Sequence, residues 1–127
     1  MAGGRILIVD DNATNSKLVA YLMTANGYEV ETAGDADAAM QSIRGTRPDL
    51  ILMDLQLPGI DGLELTRRLK SDPATRDIII VAVTAYAMKG DQDRAFAAGC
   101  DDYVAKPIDT RALPDTIRRH LALRSGE

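Results

Sequence analysis

The chain carries one cysteine, Cys100, in 127 residues. A lone cysteine rules out an intramolecular disulfide and any metal site built from several thiolates. No other thiol or nearby histidine supports reactivity, so Cys100 reads as a small buried filler. Excess positive charge is missing as well: 15 Lys and Arg stand against 19 Asp and Glu, a net charge of −4. That balance argues against phosphate-backbone binding as the main task. The basic cluster Arg118-Arg119-His120, near the C-terminus, falls in a helical pattern and reads as a solvated helix face rather than a nucleic-acid patch. Long apolar runs are absent. The longest, around "IIIVAVTAYAM", is far below a membrane span, and the apolar stretch in "MAGGRILIVDD" is too short for a signal peptide. There is no internal repeat, linker or low-complexity segment. The expectation is a soluble, cytoplasmic domain with neither nucleic acid nor membrane as its partner.

What is present can build a core. With 46% hydrophobic and 27% charged residues, a chain of this length suits one ordinary domain and is not disordered. Apolar runs with β-branched residues recur at Ile6–Val9, Leu50–Met53 and Ile78–Val83, with weaker ones at Tyr28–Thr32 and Tyr103–Ala105. Helical patterns lie between them. In "NSKLVAYLMTANG", Leu18, Val19, Leu22 and Met23 share a face, and Gly27 is a C-terminal stop. In "GDADAAMQSIRG", Asp35 can cap, Ala39, Met40 and Ile43 point inward, and Gly45 ends the helix. "DGLELTRRLKSDP", "MKGDQDRAFAAG" and "RALPDTIRRHLAL" supply the remaining three helices. Pro114 would cost about 3 kcal/mol in mid-helix, so the last helix is expected to begin close to it.

Strand and helix alternating five times imply a doubly wound α/β sandwich, (βα)5, with a parallel sheet and right-handed crossovers. The continuous apolar character of the first, third and fourth strands fits burial on both faces. The common order for such a sheet is the flavodoxin-like 2-1-3-4-5, with ligands bound beyond the carboxyl ends of the strands at the switch between strands 1 and 3. That rule gathers scattered residues. Strand 1 ends at Asp10-Asp11, strand 3 at Asp54, strand 4 at Thr84-Ala85 and strand 5 at Lys106-Pro107. Three carboxylates, a hydroxyl and an ammonium then share one crevice. Clustered carboxylates are costly without a cation, and a hard divalent ion with oxygen ligands is the natural choice; Mg²⁺ is the usual one for phosphoryl chemistry. Taken singly, each piece has a plainer reading. Asn12 or Asp11 could simply cap the first helix, Lys106 could be a solvated lysine and Thr84 a strand-end residue. Four independent strand ends supplying phosphate or metal chemistry make chance agreement improbable.

The motifs "LIVDDN", "LILMDLQLPGIDGLEL", "VAVTA" and "YVAKP" together resemble a receiver domain of bacterial two-component signalling, over Arg5 to about Leu121. "DDNATN" and "AYAMKGD" further resemble single-domain receivers of the cell-division type (DivK-like) and receivers attached to hybrid kinases. The resemblance implies a single receiver domain over 1–127, with its core at about 5–122. It implies that Asp54 accepts a phosphoryl group from a phosphohistidine, forming an acyl phosphate. It further implies that Asp11, Asp54 and the backbone carbonyl of Gln56 bind Mg²⁺, with Asp10 acting through a metal-bound water. Lys106 and Thr84 would hold phosphoryl oxygens, and Ala85 would leave them room. Thr84 and Tyr103 would report the phosphorylated state, and Gln56 and Tyr86 would bear on its lifetime. A cis peptide before Pro107 would turn Lys106 back towards Asp54. The implied partners are a histidine kinase or histidine phosphotransfer protein upstream, and a downstream protein on the face of the fourth helix, fifth strand and fifth helix. Gly90, in the first turns of the fourth helix, lets that helix yield easily. Such a receiver promotes its own phosphorylation and dephosphorylation without being an enzyme acting on a separate substrate. Only "RSGE" follows the last helical pattern, so the expected output is protein binding, or a role as phosphoryl shuttle or sink, or as a domain cut from a hybrid kinase.

Three competitors fit less well. A flavodoxin-like cofactor binder needs a phosphate-cradling loop after strand 1, where "DDNATN" would repel a flavin phosphate. A haloacid-dehalogenase-type phosphatase wants a second acid two residues past its nucleophile, where Gln56 stands, and a cap domain that this length does not allow. A purely structural adaptor has no need of Asp54 and Lys106.

Overall fold

The computed structural model describes residues 4–55, 62–84, 89–106 and 108–124. Along the chain run β1 (Arg5–Val9), α1 (Ala13–Ala25), β2 (Glu29–Ala33), α2 (Ala36–Gly45), β3 (Leu50–Asp54), α3 (Gly62–Ser71), β4 (Ile79–Thr84), α4 (Lys89–Ala98), β5 (Asp102–Ala105) and α5 (Leu113–Arg124). The five strands are parallel, in the order β2-β1-β3-β4-β5.

Every residue of β3 and β4 is buried, because helices cover both faces of the sheet centre. Alternation along the strands feeds two cores. Leu7, Val9, Ile51, Met53, Ile80 and Ala82 point to one side, where Ala39 and Ile43 of α2, Leu65 and Leu69 of α3 and Ala95 of α4 pack. Ile6, Ile8, Leu50, Leu52 and Val81 point to the other, against Val19 and Met23 of α1 and Leu113 and Ile117 of α5. The edge strands β2 and β5 are mostly half-buried or exposed, which is why their apolar signal in the sequence is weak.

Local chemistry sets the helix ends. The Asn12 side chain accepts the Asn15 N–H at 3.1 Å and so caps α1, leaving Asp11 free of that task. Gly27, at φ 92°, stops α1 in the conformation glycine favours. Asp35 caps α2 by accepting the Ala38 N–H at 2.8 Å. Pro114 takes the second position of α5, in the first turn, where a missing N–H costs nothing.

Two sequence expectations change. Leu18 is 56% exposed and does not share the buried face of α1. Ser16, Val19 and Met23 form the row that meets the sheet, and Leu18 sits about 100° round the helix from Val19. The basic cluster on α5 divides: Arg118 and Arg119 are exposed, whereas the His120 ring turns inward and its Nε2 hydrogen-bonds Asp102 Oδ2 at 2.9 Å.

Candidate functional site

Parallel pairing brings the chemistry-bearing residues to one edge of the sheet. Val9 pairs with Met53, Asp54 with Val83 and Thr84 with Ala105. The residues that end these strands or follow them, Asp10, Asp54, Thr84 and Lys106, therefore emerge side by side. Lys106 Nζ donates to Asp54 Oδ2 at 3.0 Å, across 52 residues of chain. The Lys106 N–H donates to the Thr84 carbonyl at 2.8 Å, extending the β4–β5 ladder by one rung and fixing where the lysine leaves it. One carboxylate oxygen from each of Asp10, Asp11 and Asp54 lies within 4.8 Å of the others. Asp54 is 3% exposed and Asp10 8%, whereas Asp11 is open to solvent. A narrow cleft beside Asp10 and Asp54 is walled by Val19, Val83 and Ile108.

The electrostatics are adverse without a cation. Burial pushes the Asp10 carboxyl above the usual carboxylate range. The Asn12 N–H, donating to Asp10 Oδ1 at 2.8 Å, pulls it down, and the charge of Asp54 pushes it further up. Lys106 is a single positive charge beside three carboxylates. The donor set is all oxygen, partly buried and open on the Asp11 side, which fits a hard divalent ion that keeps part of its water.

The raised Asp10 has a consequence for stability. An acid whose pKa is higher in the fold than in the unfolded chain holds its proton more tightly when folded. Its contribution then falls as pH rises from the ordinary value of 3.8 through the raised one. In metal-free protein, Asp10→Asn is therefore expected to raise the urea midpoint at pH 7 relative to wild type, with the difference shrinking as pH falls below that window. Urea titrations at a series of pH values with chelator present measure this, and a variant less stable than wild type at pH 7 would contradict it.

Tyr103 stands on β5, half-buried, in edge-to-face contact with Phe96 of α4 at a centroid distance of 6.3 Å. Gln92 of α4 also donates to its hydroxyl. Asp102 accepts the Tyr103 N–H through one oxygen and pairs with His120 of α5 through the other. Tyr103 thus joins α4 to β5, and Asp102 joins β5 to α5. Gln56, Ala85, Tyr86 and Pro107 lie outside the described residues, and with them the backbone carbonyl expected to bind Mg²⁺ and the Lys106–Pro107 peptide expected to be cis. Sequence reasoning missed the Asp102–His120 pair, because a histidine beside two arginines carries no mark of its partner. It also missed Ile108 as a wall of the cleft.

Cys100 is buried, its thiol pushed up by burial, and it lies 3.9 Å from Thr66 Oγ1. This is the environment of an inert core thiol. Among the described residues no helix is long and apolar enough to cross a membrane.

Comparison with known proteins agrees with this arrangement. The family described as response regulator receiver domain matches residues 6–118. The chain is 46% identical over 116 residues to the polar-differentiation response regulator DivK of Brucella anthropi, covering 91% of this chain and 94% of that one. A response regulator from Chloroflexus aurantiacus shares the fold at TM-score 0.89 and 34% identity, covering 94% of this chain and 98% of that one. The chemotaxis response regulator CheY4 of Vibrio cholerae does so at TM-score 0.85 and 26% identity, covering 91% and 96%. A family match over most of the length, on a sheet whose strand ends bring these acids and this lysine together, leads to one conclusion: the chain belongs to the receiver domains of two-component response regulators.

Proposed function

We propose that Asp54 is the phosphoryl acceptor of this receiver, and that a histidine kinase or histidine phosphotransfer protein is its donor. An Asp54 carboxylate oxygen attacks the phosphorus of a phosphohistidine. The O–P bond forms as the N–P bond breaks, and the imidazole nitrogen leaves with the electron pair and takes up a proton. Small donors such as acetyl phosphate react in the same way, with the acetate oxygen leaving. One observation carries the reading: Asp54 is 3% exposed, with an ammonium at 3.0 Å and two further carboxylates clustered with it. A buried acid in a merely structural ion pair does not call for two more acids beside it.

Asp10, Asp11, Asp54 and the backbone carbonyl of Gln56 would hold Mg²⁺, which when bound neutralises charge on the transferring group. Lys106 holds a second phosphoryl oxygen, and the Thr84 hydroxyl a third. Asp10, at the protein side of the cluster, keeps the acidic wall in place through its bond from Asn12. The same groups promote both the gain and the later loss of the phosphoryl group. We read residues 1–127 as one such receiver, working in the cytoplasm.

The test is incubation with acetyl phosphate and Mg²⁺ followed by intact mass. A receiver gains one phosphoryl group, and chelation of Mg²⁺ stops the gain. A flavin binder gains nothing, and a phosphatase consumes the donor without accumulating a product; either result would overturn the reading.

The output face is that of α4, β5 and α5. Phosphorylation replaces the single charge of the Asp54 carboxylate with the roughly 1.5–2 negative charges of a phosphoryl group at the crevice, and Thr84 is the residue placed to respond. A shift of Thr84 makes space that Tyr103 can enter, loosening its contacts with Gln92 and Phe96 of α4. Gly90, exposed and in the first turn of α4, lowers the cost of rearranging that helix by about 1 kcal/mol relative to alanine. Amide NMR with and without beryllofluoride, a mimic of the phosphoryl group, is expected to show shifts across residues 87–106. Shifts confined to the crevice would instead favour a shuttle or sink role.

A further inference from the structure

We infer that Gly62 is a positioning residue for phosphoryl transfer: its missing side chain lets the first turn of α3 press on the backbone that presents Asp54. The inference rests on Asp54 being the acceptor. A Cβ at Gly62 would lie 2.5 Å from the Asp54 carbonyl oxygen, 2.8 Å from Leu55 Cα and 3.2 Å from the Asp54 carbonyl carbon. All three are backbone atoms, which cannot swing aside as a side chain can. The contact is tightened by a hydrogen bond from the Gly62 N–H to the Leu55 carbonyl at 3.3 Å.

The neighbours decide which side gives way. The body of α3 is held by Leu65 and Leu69, each 1% exposed, and by Thr66, fully buried, whose hydroxyl donates to the Gly62 carbonyl at 2.7 Å. The strand end has fewer strand neighbours than the strand centre. Pairing with β1 stops at Val9–Met53, whereas pairing with β4 continues to Asp54–Val83 and to the bond from Leu55 N–H to the Val83 carbonyl at 3.1 Å. Among the described residues, strand pairing past Met53 is with β4 alone, and Gly62 adds contact from the helix layer. An added methyl moves Asp54 and Leu55 rather than α3. Asp54 then shifts against both Lys106 and the other two acids.

Other helix glycines lack this contact: a Cβ at Gly45 or Gly90 meets nothing within 4 Å. Gly45→Ala is therefore the control, and a misplacement of about 1 Å can cost on the order of 10²-fold in rate. The experiment compares wild type, Gly45→Ala and Gly62→Ala, with folding checked by circular dichroism. Trimethylamine N-oxide is added equally to all three at a level that folds Gly62→Ala, since this osmolyte favours the compact state. Two quantities are read: the maximal labelling rate with acetyl phosphate, and the Mg²⁺ dissociation constant from amide shifts without any phosphoryl donor. Gly62→Ala is expected to lose about ten- to a hundredfold in maximal rate and to bind Mg²⁺ several-fold more weakly. Gly45→Ala is expected to match wild type in both. A merely structural glycine would change only the folded fraction. Wild-type rate and Mg²⁺ affinity in folded Gly62→Ala, or equal losses in Gly45→Ala, would overturn the inference. A wild type that takes no phosphoryl group would instead overturn the assignment of Asp54, and the inference with it.

Discussion

Asp54→Asn is expected to fold and to take up no phosphoryl group from acetyl phosphate and Mg²⁺, a loss on the order of 10³-fold or more in labelling rate. The substitution keeps the volume of a residue that is 3% exposed, so the packing around it survives. It removes one of three clustered negative charges, which relieves repulsion with Asp10 and Asp11 in the metal-free state. Lys106 keeps an acceptor if the Asn oxygen turns towards it. What disappears is the anionic oxygen able to attack phosphorus, since an amide is a poor nucleophile. Intact mass over time measures the loss, and urea titration shows that it does not reflect unfolding. Labelling of the variant at the wild-type rate would transfer the acceptor role to another group.

Lys106→Met separates the two tasks of the site. The methionine keeps most of the apolar stem and removes the ammonium that stands 3.0 Å from Asp54 Oδ2. Charge that develops on the transferring group loses a donor aimed at it, and removal of one such donor commonly costs about 10²–10³-fold in rate. The effect on the metal has the opposite sign. Without Lys106 the three carboxylates are less compensated, so Mg²⁺ binds more tightly. The expected result is a maximal labelling rate lower by about 10²-fold, with the Mg²⁺ half-saturation shifted to lower concentration. Titrating Mg²⁺ against rate for both proteins reads both quantities. An unchanged rate would reduce Lys106 to a structural partner of Asp54.

The fold was legible wherever burial on two faces leaves a continuous apolar run, as in "ILIV", "LILM" and "IIIVAV". The grouping of the candidate residues was legible in part for the same reason: a buried parallel strand must end somewhere, and Asp10, Asp54 and Thr84 stand where the apolar residues of β1, β3 and β4 stop, while Lys106 follows the less buried β5. Other features depend on contacts that no local pattern encodes. Leu18 continues the apolar pattern of α1 yet is exposed, because Val19, Leu22 and Met23 face the sheet-side core and Leu18 sits to one side of them. His120 lies 18 residues from Asp102, and their pairing follows from how α5 crosses β5. Gly62 reads in sequence as an unremarked first residue of a helix, and its close approach to Asp54 emerges only when α3 is laid on the sheet. Asn12 and Asp11 were equal candidates for the α1 cap, and the hydrogen bond to Asn15 decides for Asn12.

The most direct test of the central claim is to locate the phosphoryl group. After labelling with acetyl phosphate and Mg²⁺, borohydride reduces an acyl phosphate to the alcohol, so an aspartyl phosphate becomes homoserine. Peptide mass spectrometry then finds the altered position. The account predicts homoserine at position 54 alone, and none when Mg²⁺ is chelated. Homoserine at position 10 or 11, or a phosphate remaining on a serine, a threonine or His120 with Asp54 unchanged, would contradict it.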